Sequence, residues 1–403
     1  MKIGYILTTF PCQSELFAVR EIEGLSKLGF DVTVFAATGQ TLSSMPFKDI
    51  TAVYRPLVFS ICSFLSISYI IVRYPLGLAR LTALTFKLFL LNGTEAKLIA
   101  KNIHTIAFFT MILDRKKIRH IHAYFLNWPS CIAMAITVVT RRSFSIATHA
   151  RDLFVERGAM RLKISKARFV VTCTQHGLDY LKRRLSEHYH EKLHVNYHGI
   201  NFDLNPNAED NHKANKFNEH RLIAVGRLIP KKGFDYLIKA FSLVLQSYQN
   251  CDLIVVGDGP EYQRLVTLAE SMNLENHVKF LRWLDYNSTR QLICDSAILI
   301  VPSVIASDGD KDGIPNVILE AFGCGTAVVS TDLVSLREAV IHQETGLIVR
   351  QGDIAELAAA IEQLLNDKKL RERFSRNARE MAIRQFDSMN NVRELAKLFM
   401  GKN

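Results

Sequence analysis

Short runs of aliphatic and aromatic residues alternate along the whole chain with longer stretches whose apolar positions recur every three or four residues. Such alternation predicts βαβ units and a parallel sheet. In the first half, strands are predicted at Ile3 to Leu7, Val32 to Phe35, Ile118 to His122, Phe144 to Thr148, Phe169 to Cys173 and Leu193 to Tyr197. The second half offers Leu222 to Val225, Leu253 to Val256, Val278 to Leu281, Ile298 to Val301, Ala327 to Ser330 and Gly346 to Val349. Each half can build its own doubly wound sheet. Between them, residues 201–220 are rich in Asn, Asp, His and Lys, carry Pro206 and show no sustained apolar period, as a linker would. The expected organisation is a first domain over 1–200, the linker 201–220, a second domain over 221–386, and a helix within 387–403 that folds back toward the first domain.

One segment departs from this pattern. Leu57 to Val72 is a run of sixteen residues without a charge, which as helix covers about 24 Å against a hydrocarbon core of about 30 Å. It is too short to span a bilayer. Arg55 and Pro56 precede it, Arg73, Tyr74 and Pro75 follow, and residues 76–92 mix Leu and Phe with Arg80 and Lys87. Two readings stand: a hydrophobic helical hairpin packed within the first domain, or one lying in a membrane interface. The uncharged stretch His120 to Thr140 is interrupted by Asn127-Trp128-Pro129 and suits no membrane span.

Length and composition exclude whole classes. With 403 residues, 48% hydrophobic and 22% charged, the chain is neither disordered, fibrous nor a disulfide-stapled module. Lys and Arg exceed Asp and Glu, and the excess is lopsided: residues 1–200 hold 26 basic and 12 acidic side chains, the remaining 203 hold 24 and 27. The basic half either faces a polyanion or is a solvated basic surface. Nucleic acid is not expected, since no recognisable motif for it occurs. Seven scattered cysteines with no Cys-x-x-Cys pair predict neither a disulfide framework nor a zinc site. Together with an N-terminal apolar run too short for a signal peptide, this places the expected chain in the cytoplasm.

Chemistry concentrates in loops that follow strands, where helix N-termini favour anions. In Ser307 to Phe322, Gly313 permits an unusual turn and Pro315 suits a helix start. A helix opening there aims its amides at an anion, and Glu320 on its second turn can accept two hydrogen bonds from a diol such as ribose. Asp308, Asp310 and Asp312 imitate a calcium loop, but position twelve is Leu319, so the register fails; a metal–diphosphate clamp at Asp308 and Asp310 is equally weakly signalled. In Gly226-Arg227-Leu228-Ile229-Pro230-Lys231-Lys232-Gly233, Arg227 can fork onto phosphate oxygens and Lys232 adds a point charge. Gly257-Asp258-Gly259-Pro260 reads as a turn. At the edge of the first sheet, His149 and Asp152 close one strand, and Pro11 to Glu15 close another, with Ser14 the expected N-cap.

Together these segments resemble glycosyltransferase family 4, over nearly the whole chain and most specifically in the second half. The loop Gly-Arg-x-x-x-x-Lys-Gly, the Gly-Asp-Gly-Pro turn and two acids eight positions apart occur in the family's order, while Phe-Pro-x-x-Ser-Glu and Thr-His-Ala-Arg-Asp look like members that build exopolysaccharide or lipopolysaccharide, such as colanic-acid-type transferases. The resemblance implies the GT-B fold, two Rossmann-like doubly wound parallel-sheet domains facing across a cleft, and a retaining transfer without a metal or other cofactor. It gives Arg227 and Lys232 the donor diphosphate, with Gly226 beside them, and Glu320 the ribose. Asp312 and the amides after Gly313, through Ile314, Pro315 and Asn316, take the sugar. His149 contacts that sugar from the first domain, with Asp152, Ser14 and Glu15 as further substrate contacts. Two departures stand out: the first acid is Asp312 where the family usually has Glu, and Pro11 to Glu15 replace a glycine-rich loop.

The expectation is a transferase that moves a sugar from a UDP- or GDP-linked donor to a lipid-linked or glycan acceptor, peripherally on the cytoplasmic face of an anionic membrane. An oxocarbenium-like transition state leaving an anionic diphosphate is stabilised by fixed cations. The alternatives are a sugar-nucleotide epimerase or hydrolase of the same architecture, and a non-catalytic subunit recruited to the membrane.

Overall fold

The computed structural model describes residues 1–12, 15–39, 50–91, 93–155, 158–202 and 217–401. The chain divides into two compact units: Met1–Asn196 with Val392–Asn403, and Tyr197–Asn391.

In unit 1, strands β1 (Lys2–Thr9), β2 (Asp31–Thr38), β3 (Thr51–Tyr54), β4 (His120–Tyr124), β5 (Ser143–Thr148), β6 (Val170–Thr172) and β7 (Leu193–Val195) form one sheet in the order β3-β2-β1-β4-β5-β6-β7. Every pairing is parallel. The helices are α1 (Leu16–Lys27), α2 (Ile61–Arg73), α3 (Pro75–Leu91), α4 (Thr94–Lys101), α5 (Ile103–Arg115), α6 (Trp128–Thr140), α7 (Ala150–Phe154), α8 (Met160–Lys166) and α9 (Gln175–Arg184). A parallel sheet must be covered on both faces. On one, Ile132, Ile136 and Phe144 join Phe109 of α5 in a fully buried cluster; on the other, Val19 and Ile22 of α1 pack with Tyr5 and Val34.

Unit 2 repeats the design with β8 (Asn218–Val225), β9 (Asp252–Val256), β10 (Val278–Leu281), β11 (Ser296–Val301), β12 (Ala327–Thr331) and β13 (Leu347–Val349), ordered β10-β9-β8-β11-β12-β13 and again parallel. Its helices are α10 (Phe234–Ser247), α11 (Tyr262–Ser271), α12 (Tyr286–Cys294), α13 (Asn316–Cys324), α14 (Ile354–Asn366) and α15 (Lys368–Gln385). The last helix, α16 (Ser388–Met400), begins in unit 2 and ends in the core of unit 1, where Val392, Leu395 and Phe399 are buried. Gly24 of α1 allows that approach, since a Cβ there would lie 2.9 Å from Val392.

Three findings differ from the sequence reading. The edge strand β3 was not anticipated, because Thr51–Tyr54 is short and only half-buried. Unit 1 ends at Asn196 rather than 200, and β8 starts at Asn218, inside the expected linker, whose residues 203–216 lie outside the described ones. Cys294 and Cys324, 30 positions apart, form a disulfide between the ends of α12 and α13, a pairing no sequence spacing announces. The hydrophobic stretch divides into α2 and α3, bent by 104° at their junction.

Candidate functional site

In an open α/β sheet the crevice forms where strand order reverses, beyond the carboxyl ends of the two strands concerned. For unit 2 that point lies between β8 and β11. The loop after β8 carries Gly226, Arg227 and Lys232, and the loop after β11 runs through Asp312, Gly313, Ile314, Pro315 and Asn316 into α13 and Glu320. The topology therefore gathers the motifs that the sequence holds eighty residues apart.

Backbone contacts join the two loops. The amide of Val304 donates to the carbonyl of Lys231 at 2.8 Å. Gly233 takes φ 63°, and a Cβ there would sit 2.0 Å from the carbonyl oxygen of Pro302. The neighbouring turn is held likewise: Leu228 N–H donates to Asp258 O at 2.8 Å, and a Cβ on Gly257 would lie 1.9 Å from Gly226 O. Those glycines serve close backbone approach, as a turn-making role requires. Arg282, stacked 3.9 Å from the Tyr262 ring centroid, ties the turn to the loop after β10 through Asp258 at 2.8 Å.

The side chains make a compact ionic cluster. Lys232 Nζ lies 2.7 Å from Asp312 Oδ2, which also accepts from Ser303 Oγ at 2.6 Å. Lys231 Nζ lies 3.0 Å from Asp310 and 3.5 Å from the other oxygen of Asp312. Ser335 Oγ donates to the Asp312 carbonyl at 2.6 Å. Burial alone pushes the Asp312 carboxyl up, but the adjacent Lys232 and Lys231 outweigh it and hold the group below the usual carboxylate range. The buried acid is therefore ionised. Lys232 is accordingly no lone point charge: its stem packs over Gly226, whose Cβ would lie 3.4 Å from Cε, and its ammonium is already paired. Arg227 is exposed.

The sequence reading gave no role to Ser303 or Ser335, quoted Lys231 without a role, and weighed Asp310 only as part of a calcium loop or metal–diphosphate clamp, whereas the structure pairs it with Lys231. The alternate spacing of Asp310 and Asp312 in an extended loop, which puts both on one side, was the available signal. Helix α13 starts at Asn316, one position after the expected start, with Pro315 as its N-cap and without a side-chain cap, so its first turn presents amides rather than a competing hydroxyl. Ile314 packs partly into the apolar cluster beneath, and Glu320 is 7% exposed on the second turn. Among the described residues, no three His, Cys, Asp or Glu side chains group as a metal site.

In unit 1 the strand order reverses between β1 and β4. His149 follows β5 as the N-cap of α7, and the Asp152 carboxylate accepts from the backbone N–H of His149 at 2.7 Å and of Leu126 at 2.6 Å. Asp152 thus joins the β5 and β4 loops through the main chain. The His149 ring lies among Phe17, Tyr124 and Phe125, with centroids 5.4, 5.2 and 4.3 Å away. Phe125 adopts φ 124°, a conformation that side chains resist; nothing in its sequence context signals this. Glu15, not Ser14, is the N-cap of α1, and Ser14 lies outside the described residues.

A family model described as glycosyl transferases group 1 matches residues 207–381. Among curated relatives, the putative colanic acid biosynthesis glycosyltransferase WcaL of Escherichia coli is 32% identical over 180 residues, 44% of each chain. The lipopolysaccharide core biosynthesis glycosyltransferase LpsE of Rhizobium meliloti is 32% identical over 165 residues, 41% of this chain and 45% of that one. The chain spans about half the length of most curated relatives it matches. Among solved structures, sucrose-phosphate synthase of Thermosynechococcus elongatus superposes with a TM-score of 0.75 at 18% identity, over 100% of this chain and 98% of that one. Anabaena HepE, solved with UDP and glucose, gives 0.71 at 19% identity over 99% of each. These likenesses show the GT-B fold. The fold and the switch-point loops agree with that match: residues 207–381 are similar to the group 1 glycosyl transferases.

Proposed function

We propose that the protein is a retaining glycosyltransferase that moves a hexosyl group from a UDP- or GDP-linked donor to a glycan or lipid-linked acceptor in the synthesis of a surface polysaccharide. The observation that carries this reading is the adjacency, at the β8/β11 switch point, of the loop bearing Arg227 and Lys232 and the loop that runs through Asp312 into the uncapped start of α13, joined by the Lys232–Asp312 pair. Relatives named for colanic acid and lipopolysaccharide synthesis, and a fold neighbour solved with UDP and glucose, support the substrate class.

The roles follow from charge and reach. Arg227 and Lys232 take the diphosphate, whose negative charge grows as the glycosidic bond breaks; removing one such preorganised partner typically costs about 10²- to 10³-fold in rate. With two cations assigned to the leaving group, the reading needs no metal. Glu320 accepts from the ribose hydroxyls, and Asp312, held ionised by its lysines, accepts from hydroxyls of the transferred sugar together with the amides after Gly313. No protein nucleophile is assigned: the acceptor hydroxyl attacks from the face the diphosphate leaves, and the departing phosphate takes its proton. His149 is assigned a substrate contact within unit 1, positioned by Asp152.

A thermal-shift titration with UDP, GDP and ADP tests the donor assignment. One nucleotide should raise the melting temperature, by a stabilisation of about 2.7 kcal/mol at a hundredfold excess over Kd, and Glu320→Ala should abolish the shift while keeping the unliganded melting temperature. No response to any of the three would defeat the proposal. Sugar or epimer released at full rate without acceptor would point to the hydrolase or epimerase alternative, and an NMR coupling constant of the product's anomeric proton decides retention.

A further inference from the structure

Of the 22 large hydrophobic side chains that remain exposed among the described residues, 12 fall between Leu57 and Leu90, so this surface is a patch rather than scattered residues. Helix α2 is built inside out. Its buried positions are Ser63, Ser66 and Ile70, while Ile61, Phe64, Leu65, Ile71 and Val72 are more than half exposed. A helix on a water-facing surface places its apolar stripe inward. The serines are satisfied locally, Ser63 Oγ donating to Leu57 O at 2.7 Å and Ser66 Oγ to Ser63 O at 2.9 Å. In α3, Leu81, Leu84 and Leu88 enter the core, whereas Leu76, Phe86, Phe89 and Leu90 stay exposed.

We propose that the α2–α3 hairpin is a monotopic membrane seat that lays its exposed apolar face into the interface of an anionic bilayer. Charge selects this occupant. Between Thr51 and Lys101 the chain carries six cations, Arg55, Arg73, Arg80, Lys87, Lys97 and Lys101, and one acid, Glu95, which is buried 3.6 Å from Lys163. Anionic headgroups attract such a surface, whereas a second copy of the same cationic face repels it.

Geometry selects lying over crossing. Helices of 13 and 17 residues measure about 20 and 26 Å, short of a core of about 30 Å, and among the described residues no single helix is long and apolar enough to cross. Each also has one face committed to its own domain. The bend is tethered there: Tyr69 and Tyr74 donate to Asp114 of α5 at 2.8 and 2.9 Å, and Arg142 pairs with the same carboxylate. Phe86 and Phe89 further line an apolar groove of about 600 Å³ between α3 and α4, with Lys97 also on its wall, where acyl chains can pack.

The test is co-sedimentation of the full chain with vesicles of phosphatidylcholine alone and of equal phosphatidylcholine and phosphatidylglycerol. Wild type should pellet with the mixed vesicles and be released by high salt or alkaline washing. Phe64→Asp with Phe86→Asp should remain in the supernatant, and Arg73→Gln and Lys87→Gln should each weaken binding about fivefold. Unchanged circular dichroism and unchanged nucleotide thermal shift in these variants separate loss of the seat from loss of the fold or the donor site. Wild type left in the supernatant, variants that bind like wild type, resistance to both washes, or a vesicle-independent dimer dissolved by the two Phe substitutions would each overturn the proposal.

Discussion

Lys232 and Asp312, eighty residues apart in sequence, form an ion pair of 2.7 Å whose carboxylate is almost wholly buried and shared with Lys231 and Ser303. This pair helps hold the two switch-point loops together, and under the proposed function an incoming diphosphate would have to share Lys232 with Asp312.

Removing one member of a buried pair strands the other, at about 3 to 5 kcal/mol. Lys232→Met should approach the lower end, because Lys231 remains beside Asp312, and the double variant Lys232→Met/Asp312→Asn should recover part of the loss in urea unfolding. Both variants should lose transfer. A double variant no more stable than Lys232→Met would show that the pair contributes nothing specific.

Gly233 and Gly309 form an internal control. Both have positive φ, 63° and 83°, but a Cβ on Gly233 would meet Pro302 O at 2.0 Å whereas Gly309 has nothing within 4 Å. Gly309→Ala should cost about 1 kcal/mol from backbone conformation alone. Gly233→Ala should cost clearly more and weaken nucleotide binding, because the loop carrying Lys232 must move; equal melting temperatures would refute the close approach.

Glu21 in unit 1 is buried beneath Tyr5 and Tyr124, which donate to it at 2.8 and 3.3 Å. Burial raises its carboxyl from 4.5 to about 7, against the opposing hydrogen bonds. Between these values the folded state keeps a proton that the unfolded chain has lost, so stability falls as pH rises across that window. His120, lowered to about 3 by burial and by Arg168, acts oppositely and costs stability on acidification below its ordinary range. Comparing wild type with Glu21→Gln isolates the first effect: the variant should gain about 3 kcal/mol relative to wild type from pH 4 to pH 8. A constant difference across that range would contradict the assignment.

Phe399 of α16 is 1% exposed, with ring centroids 5.3 Å from His122 and 5.5 Å from Phe169. Phe399→Ala should destabilise unit 1 by about 3 to 5 kcal/mol in urea unfolding, since the last turns of the chain complete that core. A loss below about 1 kcal/mol would mean that the helix merely rests on the surface.

The periodicity of the sequence determined the alternation of strands and helices, because a strand buried on both faces is written as a local run of Val, Ile and Leu, as in Ile298 to Val301. The cationic loop at Gly226 to Gly233 and the acids Asp312 and Glu320 could be picked out for the same reason, since each is marked by a residue and its near neighbours. Tertiary structure alone decided what depends on distant partners. Strand order put the β8 and β11 loops side by side, which paired Lys232 with Asp312 and Lys231 with Asp310. It also joined Cys294 to Cys324 and returned Phe399 to unit 1. In α2 the run of apolar residues was visible, but which side faces the protein was not, since serines turn inward only where α5 supplies a surface to receive them. Contacts between distant segments carry no local period, so only the folded chain reveals them.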